Sequence, residues 1–488
     1  MKPYDLSPSF AAHIDALRQK EQSPGLWNDE LQYVLTAAAS PCASTDEMLE
    51  LMQRGARLFQ IFTTGLENDQ NFKNECDKMT LPLWTAYTSP PAATDLQDSL
   101  ADKLYNVDPS KKDEHAFLTL GDGARHIGQN LIERLVKDSL PFSITFTEPN
   151  FNSLLLNHAD DDGVKALGKA FVDMTKNVTK RIVATPGLPK NKSLSPDKAK
   201  SQLYTKSIEP YANRSRSGDL FFTLTIIPTE KDAEIDQMDY NDYVKLFFEM
   251  CDQPWNEIDL AQQALIKELN AGKTLRFTND DGTDVSMDID GFTFCNSLIA
   301  KNVPGSEVFS APRRDSVNGK IVAKGRFTPP QDRGEIIENL TMEFNKGKLV
   351  SYSADKGVEA FERMIQTDEG ASYIGEVGIG TNPHLKTHVC NGLLVEKIGG
   401  SFHLALGACY TMKEYQGAPV NVDNGNQSAI HWDVTTMLHG KNGRIYLDGN
   451  LIMDNGKFIA PEYDVLNRGW QAVPENDRPD YWKDYYKP

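Results

Sequence analysis

The spacing of apolar positions changes along the chain, and each change predicts a different architecture. Over residues 1–112 the apolar positions recur at helical intervals. Met48, Leu51, Met52 and Leu58 fall on one stripe, and Ser44 with Glu47 ahead of them forms a capping box that starts a helix. Strand signals are few there. Within this region, 79–113 is richer in Pro, Ser and Asp and reads as an irregular connector. From about residue 114 the pattern becomes β-α-β. Ala116–Leu120 is a short apolar run, 121–123 a glycine turn, 127–136 an amphipathic helix and Phe142–Phe146 a second strand, so a parallel sheet begins here. A further strand is expected at 220–227, and helices at 239–252 and 256–270. The second carries Ile258, Ala261, Leu265 and Leu269 on one face, with Gly272 as its C-terminal cap.

Beyond residue 275 the period falls to two. Residues 279–282 form a hairpin-type turn, after which Val285, Met287 and Ile289 alternate with Asp284, Ser286, Asp288 and Asp290. Short strands and glycine turns continue to about residue 460. The fold class is therefore α/β in three parts: an N-terminal helical extension (1–112), an α/β domain with a parallel sheet (113–274) and a β-rich C-terminal domain (275–488). The terminal aromatics Trp470, Tyr481, Trp482, Tyr485 and Tyr486 are expected to pack on the body or on a partner subunit.

Composition narrows the class. In 488 residues, 51 Lys+Arg against 69 Asp+Glu give a formal charge of -18, with 40% hydrophobic and 25% charged residues, a globular balance. No run approaches the ~18 apolar residues of a membrane span, and the first residues contain no apolar stretch fit for a signal-peptide core. Cysteines 42, 76, 251, 295, 390 and 409 form no C-x-x-C, so neither a disulfide frame nor a thiolate zinc site is indicated, and a reduced, cytoplasmic setting is expected. So acidic a chain repels phosphate backbones, which argues against a nucleic-acid partner. Residues 176–206 are the exception, with eight Lys/Arg and one Asp, but Tyr204 is their single aromatic. They read as a solvated loop followed by a helix that Ser195-Pro196 would start. In the stretch GDGARHIG, Gly121, Gly123 and Gly128 do not fit the dinucleotide fingerprint, and a plain strand-to-helix turn is expected.

Five of the nine histidines (384, 388, 403, 431, 439) fall within one stretch of the β-rich part. His403 shares a strand face with Ala405 and Gly407, His431 shares one with Asp433, and Glu376 shares one with Gly378 and Gly380. Glu307 and Glu396 sit within or just after apolar runs, where a carboxylate is normally paired or metal-bound. Two His and several carboxylates without cysteine suit Zn²⁺, Co²⁺ or Mn²⁺ in a hydrolytic site. Spacing alone does not count the ions.

The motifs NVPGSEVFSAP (302–312), YIGEVGIGTNP (373–383), VEKIGGSFHLALGACY (395–410) and HWD (431–433), in this order, resemble the metal-site motifs of the aminopeptidase T / aminopeptidase S family of two-metal, leucyl-type metallo-aminopeptidases. The resemblance is good over about 219–460, weaker over 114–218 and absent over 1–112. It implies two divalent metal ions (Zn, Co or Mn) held by Glu307, Glu376, Glu396, His403, His431 and Asp433, with Glu376 as the bridging carboxylate and Tyr410 as the active-site tyrosine. It also implies a metal-dependent aminopeptidase acting on peptides with a free N-terminus, and a homodimer. Gly305-Ser306 departs from the Thr-Gly type pair usual in the family, and the segment between Glu396 and His403 carries an extra Gly-Gly. By this reading Glu376 or Glu307 receives a proton from the attacking water and Tyr410 donates a hydrogen bond to the oxyanion. Two other readings stay open. One is a degenerate family member acting as a binding or scaffold protein, motivated by the unmatched N-terminal region. The other is a metal-dependent amidohydrolase of another substrate class, reached through the altered 305–306 loop.

Overall fold

The computed structural model describes residues 8–23, 25–111, 113–188, 193–299, 301–329 and 335–487. They divide into two compact units, 1–231 and 232–488. Part of the basic stretch, 189–192, lies outside the described residues.

The first unit opens with helices, as the apolar stripe predicts. Ser44 Oγ accepts from Glu47 N at 3.1 Å and starts the helix Thr45–Thr63, while the Glu47 carboxylate reaches back to Ala43 N at 2.6 Å. Met48, Leu51, Met52 and Leu58 are all buried. The connector expected over 79–113 contains a helix, Thr94–Leu104, that packs Leu100, Ala101 and Leu104 inward. Four parallel strands follow, β1 (Ala116–Leu120), β2 (Phe142–Phe146), β3 (Lys180–Pro186) and β4 (Phe221–Ile227), in the order β2-β1-β3-β4. Helix Arg125–Lys137 makes the crossover from β1 to β2. In the basic stretch the helix runs Lys198–Ser207 and its cap is Asp197, whose carboxylate accepts from Lys200 N at 2.9 Å, rather than Ser195. An ionised oxygen held at the positive end of the helix is the stronger acceptor.

The second unit begins with helices Tyr240–Cys251 and Trp255–Ala271. Gly272 ends the latter with extended backbone rather than a left-handed cap. Glycine is needed there because a Cβ would lie 2.3 Å from Leu447 Cδ1. The strands then run β5 (Thr274–Thr278), β6 (Asp284–Asp288), β7 (Cys295–Ser297), β8 (Glu307–Ser310), β9 (Asn318–Phe327), β10 (Ile337–Asn345) and β11 (Lys348–Ser353). After them come β12 (Ile374–Gly380), β13 (Ser401–Gly407), β14 (Glu414–Tyr415), β15 (Ala418–Pro419), β16 (His431–Met437), β17 (Arg444–Leu447), β18 (Asn450–Asp454) and β19 (Lys457–Phe458).

They build two large antiparallel sheets, ordered β11-β10-β9-β6-β5-β17-β18-β19 and β16-β13-β12-β8-β7, and a β14-β15 hairpin. One apolar core joins the two sheets: Val285 and Met287 from one and Val377, Ile379, Phe402, Leu404 and Leu406 from the other, with Ile289 just past β6. Phe277 stacks on Phe402 across the interface at 4.1 Å. Packing the apolar face of β12, β13 and β16 against the larger sheet leaves their other face free for polar side chains. Trp482 of the terminal aromatic group is fully buried within this unit, donating to Asp252 Oδ2 at 3.0 Å and packing edge-on against His384.

Candidate metal centre

Strand register assembles the polar face. Glu307 on β8 stands opposite Gly380 on β12, and Gly378 stands opposite His403 on β13. Ala405 lies between Glu376 on one side and Asp433 on the other, and Gly407 lies opposite His431. Directly opposed residues are about 4.5–5.5 Å apart, so a small residue beside each large one is what lets five functional side chains share one surface. The space over the glycines admits the neighbouring side chains: a Cβ on Gly378 would lie 2.1 Å from His403 Nε2. Glu396 comes from the turn Val395–Lys397 just before β13. That turn is pinned by Asn382 N donating to Lys397 O and Thr435 Oγ1 donating to Val395 O, both at 3.0 Å.

All six candidate ligands are thereby brought together. His403 Nε2 lies 3.3 Å from Glu307 Oε2, 3.5 Å from Glu376 Oε1 and 3.8 Å from Asp433 Oδ1. His431 Nε2 lies 3.4 Å from Glu376 Oε2 and 3.7 Å from Asp433 Oδ2. Its Nδ1 is 2.7 Å from Ala408 O, a contact in which the ring nitrogen donates and which turns Nε2 toward the carboxylates. Two groups have ligand atoms within 4.8 Å of one another, Glu307–Glu396–His403 and Glu376–His403–Asp433. His403 is fully enclosed, whereas His431 is the most exposed of the six at 30%, so the approach from solvent is over His431.

The electrostatics are those of charges held close together. Burial pushes Glu307 up, against the pull of Lys397 and His403. Burial also pushes Glu396 up, to about 8, with Glu307 and Asp433 adding to it and Lys397 opposing. Glu376, equally buried, is nevertheless drawn down to about 2 by His403 and His431. Against the same burial the carboxylates raise His403 to about 9 and His431 to about 10.

Glu307 Oε2, Glu376 Oε2 and Asp433 Oδ1 are buried oxygens that make no hydrogen bond. The nearest imidazole nitrogens stand 3.3–3.8 Å from them. Ligands about 2.0–2.2 Å from a tetrahedral cation stand roughly 3.3–3.6 Å apart. The separations and the oxygen–nitrogen donor set therefore fit a divalent ion between the side chains.

Tyr410 packs on both Phe309 and His431, with ring centroids 5.5 Å away in each case. Burial and the four neighbouring carboxylates hold its phenol well above the ordinary tyrosine range. The Gly305-Ser306 departure is built into the scaffold. A Cβ on Gly305 would meet Leu298 O at 2.1 Å, and Ser306 Oγ lies 2.8 Å from Thr381 Oγ1. Asn382 Nδ2 donates to Gly305 O at 2.6 Å. Of the remaining histidines, His384 pairs with Glu249 at 2.8 Å and His388 packs edge-on against Phe327.

Sequence reasoning missed Lys397. It is fully buried, with Nζ 2.6 Å from Glu307 Oε1 and 3.1 Å from Glu396 Oε1. The signal was present: Lys397 continues the same apolar run, Leu393-Leu394-Val395, that marked Glu396 as buried.

Four crowded carboxylates and two imidazoles, three of the oxygens lacking any hydrogen bond, form a cluster that could hold a divalent cation. The family model of the thermophilic metalloproteases (M29) matches residues 111–458, and the chain belongs to that family. Membership implies a divalent metal cofactor. Aminopeptidase 2 of Geobacillus stearothermophilus is 33% identical over 129 residues, 25% of this chain and 28% of the relative. Aminopeptidase T of Thermus thermophilus is 32% identical over 180 residues, 35% of this chain and 42% of the relative. The chain thus aligns with less than half the length of these curated relatives. A solved structure of wild-type AmpT from Thermus thermophilus shares the fold, with a TM-score of 0.61 at 20% identity, covering 76% of this chain and 100% of that one. The expected α/β class, with helices, parallel sheet and β-rich C-terminal region, holds.

Proposed function

We propose that the chain is a metallo-aminopeptidase, hydrolysing the N-terminal peptide bond of peptides at a two-metal site, with 275–488 as its catalytic domain. The observation that supports this best is the trio of buried carboxylate oxygens without hydrogen bonds beside two imidazoles, in a chain of a metalloprotease family. In this reading Glu307, Glu396 and His403 hold one ion, and Asp433 and His431 serve the other. Glu376, whose two oxygens face different imidazoles, would be shared between them. Zn²⁺, Co²⁺ or Mn²⁺ would suit these donors. Such ions, when bound, polarise a carbonyl and bring the pKa of water toward neutrality.

The chain's own groups do the rest. Glu307, tied to an ammonium through Oε1, keeps Oε2 without a hydrogen bond, and either it or Glu376 would accept a proton from the attacking water. Tyr410, at the exposed His431 side, donates its hydroxyl proton in a hydrogen bond to the oxyanion. Asp433, also on that side, offers a carboxylate to the cationic α-amine of a free N-terminus, which restricts cleavage to the first bond. Six cysteines free of disulfides support a reduced, cytoplasmic setting, and the family resemblance carries a homodimer with it.

The test is release of p-nitroaniline from leucine p-nitroanilide by protein stripped with chelator, then restored with Zn²⁺, Co²⁺ or Mn²⁺, with bound ions counted in parallel. Metal-dependent release with two ions per chain is expected. Protein that binds no ion refutes the reading.

A further inference from the structure

An ammonium without water is tolerated in a protein interior only where anions surround it. Lys397 meets that condition through two carboxylates of the centre, at 2.6 Å to Glu307 Oε1 and 3.1 Å to Glu396 Oε1. Its main chain is fixed at both ends, with N donating to Leu394 O and O accepting from Asn382 N, each at 3.0 Å. The lysine therefore has little freedom to leave. Its two partners are the carboxylates grouped with His403 at one end of the site. The other end is built differently: among the described residues, the ion pairs of Glu376 and Asp433 are with imidazoles alone. Glu307 shows what the lysine accomplishes. With Oε1 held by the ammonium, Oε2 is left without a hydrogen bond and turned to within 3.3 Å of His403 Nε2.

We infer that Lys397 is a positioning residue for one half of the centre: its ammonium orients Glu307 and Glu396 for the ion they share with His403, while the Glu376–Asp433 half does not depend on it. Two buried glutamates facing each other would otherwise repel, turn apart or take up a proton. The ammonium cancels that repulsion and still leaves Glu307 Oε2 without a hydrogen bond. This inference rests on the two-metal reading.

It is tested on the full-length chain by titrating stripped protein with Zn²⁺ against a chromogenic chelator. Wild-type protein is expected to take up two ions. In Lys397→Met one ion binds as before and the other binds 10–100-fold more weakly, the range for loss of a group that orients a ligand. Lys397→Gln, which keeps a donor without the charge, shows the same split and serves where the methionine variant does not fold. Two unchanged affinities, with only the melting temperature lowered, would reduce the lysine to a structural cation and overturn the inference. Tighter binding would overturn it too, showing that the ammonium competes for the ion's place. Wild-type protein that takes up fewer than two ions fails before any variant is made, and removes the two-metal reading and the inference with it.

Discussion

His403 occupies the place that a side chain at Gly378 would need. The two residues face each other across β12 and β13, and a Cβ on the glycine would lie 2.1 Å from the ring's Nε2. That nitrogen is the atom around which Glu307, Glu376 and Asp433 are arranged. Gly378→Ala should therefore displace the imidazole without changing any polar group. Metal affinity is expected to fall 10–100-fold, the size of effect seen when a ligand loses its orientation, with activity falling in parallel. Calorimetric zinc binding equal to wild type would show that the ring can shift at no loss.

Glu376→Gln keeps the size of the side chain and removes the charge that both imidazoles face. We expect one ion fewer per chain and at least a hundredfold drop in kcat/KM, the lower end for losing a positioned proton acceptor. Metal counting and kinetics on the same sample check both parts. Full activity in this variant refutes the assigned mechanism.

The period of two along β12, β13 and β16 was enough to place Glu376, His403, His431 and Asp433 on one kind of face, because alternation is a local property of the chain. Which strands lie side by side is not local. The opposition of Glu307 to Gly380, and of Ala405 to both Glu376 and Asp433, depends on pairings between distant segments that no local spacing encodes. Lys397 escaped for a related reason. Burial of a charge is decided by what closes over it, and here Glu307, from another strand, supplies the partner. Helix Thr94–Leu104 was hidden by its setting. Leu96, Leu100 and Leu104 keep helical spacing, but Pro90, Pro91 and several aspartates flank them, and Leu96 itself remains exposed. The cap at Asp197 was misplaced by two residues because Ser195-Pro196 offers a competing start.

The stripped protein should lose stability as pH rises. His403 and His431 are raised from 6.5 to about 9 and about 10 by the carboxylates around them. The folded chain holds their protons more tightly than the unfolded chain, so their contribution is complete below about 6.5 and disappears through 9–10. Glu396, raised by burial from 4.5 to about 8, acts in the same direction, since its proton too is held better when folded. Glu376 acts oppositely: drawn down from 4.5 to about 2, it stabilises above 4.5 and loses that effect as pH falls toward 2. Melting temperatures of chelator-treated protein should therefore decline between pH 7 and 10 and again in strong acid. With metal bound the imidazoles are already deprotonated, so the alkaline decline should flatten. A stripped protein whose melting point is level or rising from pH 7 to 9 would contradict the charge arrangement.

Tyr410 separates chemistry from metal binding. Its ring lies against His431 on the side from which solvent reaches the site. Its phenol is held protonated by burial and by the four carboxylates, which is the state a hydrogen-bond donor requires. Tyr410→Phe removes one hydroxyl and preserves the packing on Phe309 and His431. Both ions should still bind with wild-type affinity. The rate constant kcat should fall about 10²–10³-fold, the usual effect of removing one oxyanion donor, while KM changes little because the bond forms only as charge develops. If kcat holds and KM rises instead, Tyr410 binds the ground-state peptide, and the oxyanion is stabilised without its hydroxyl.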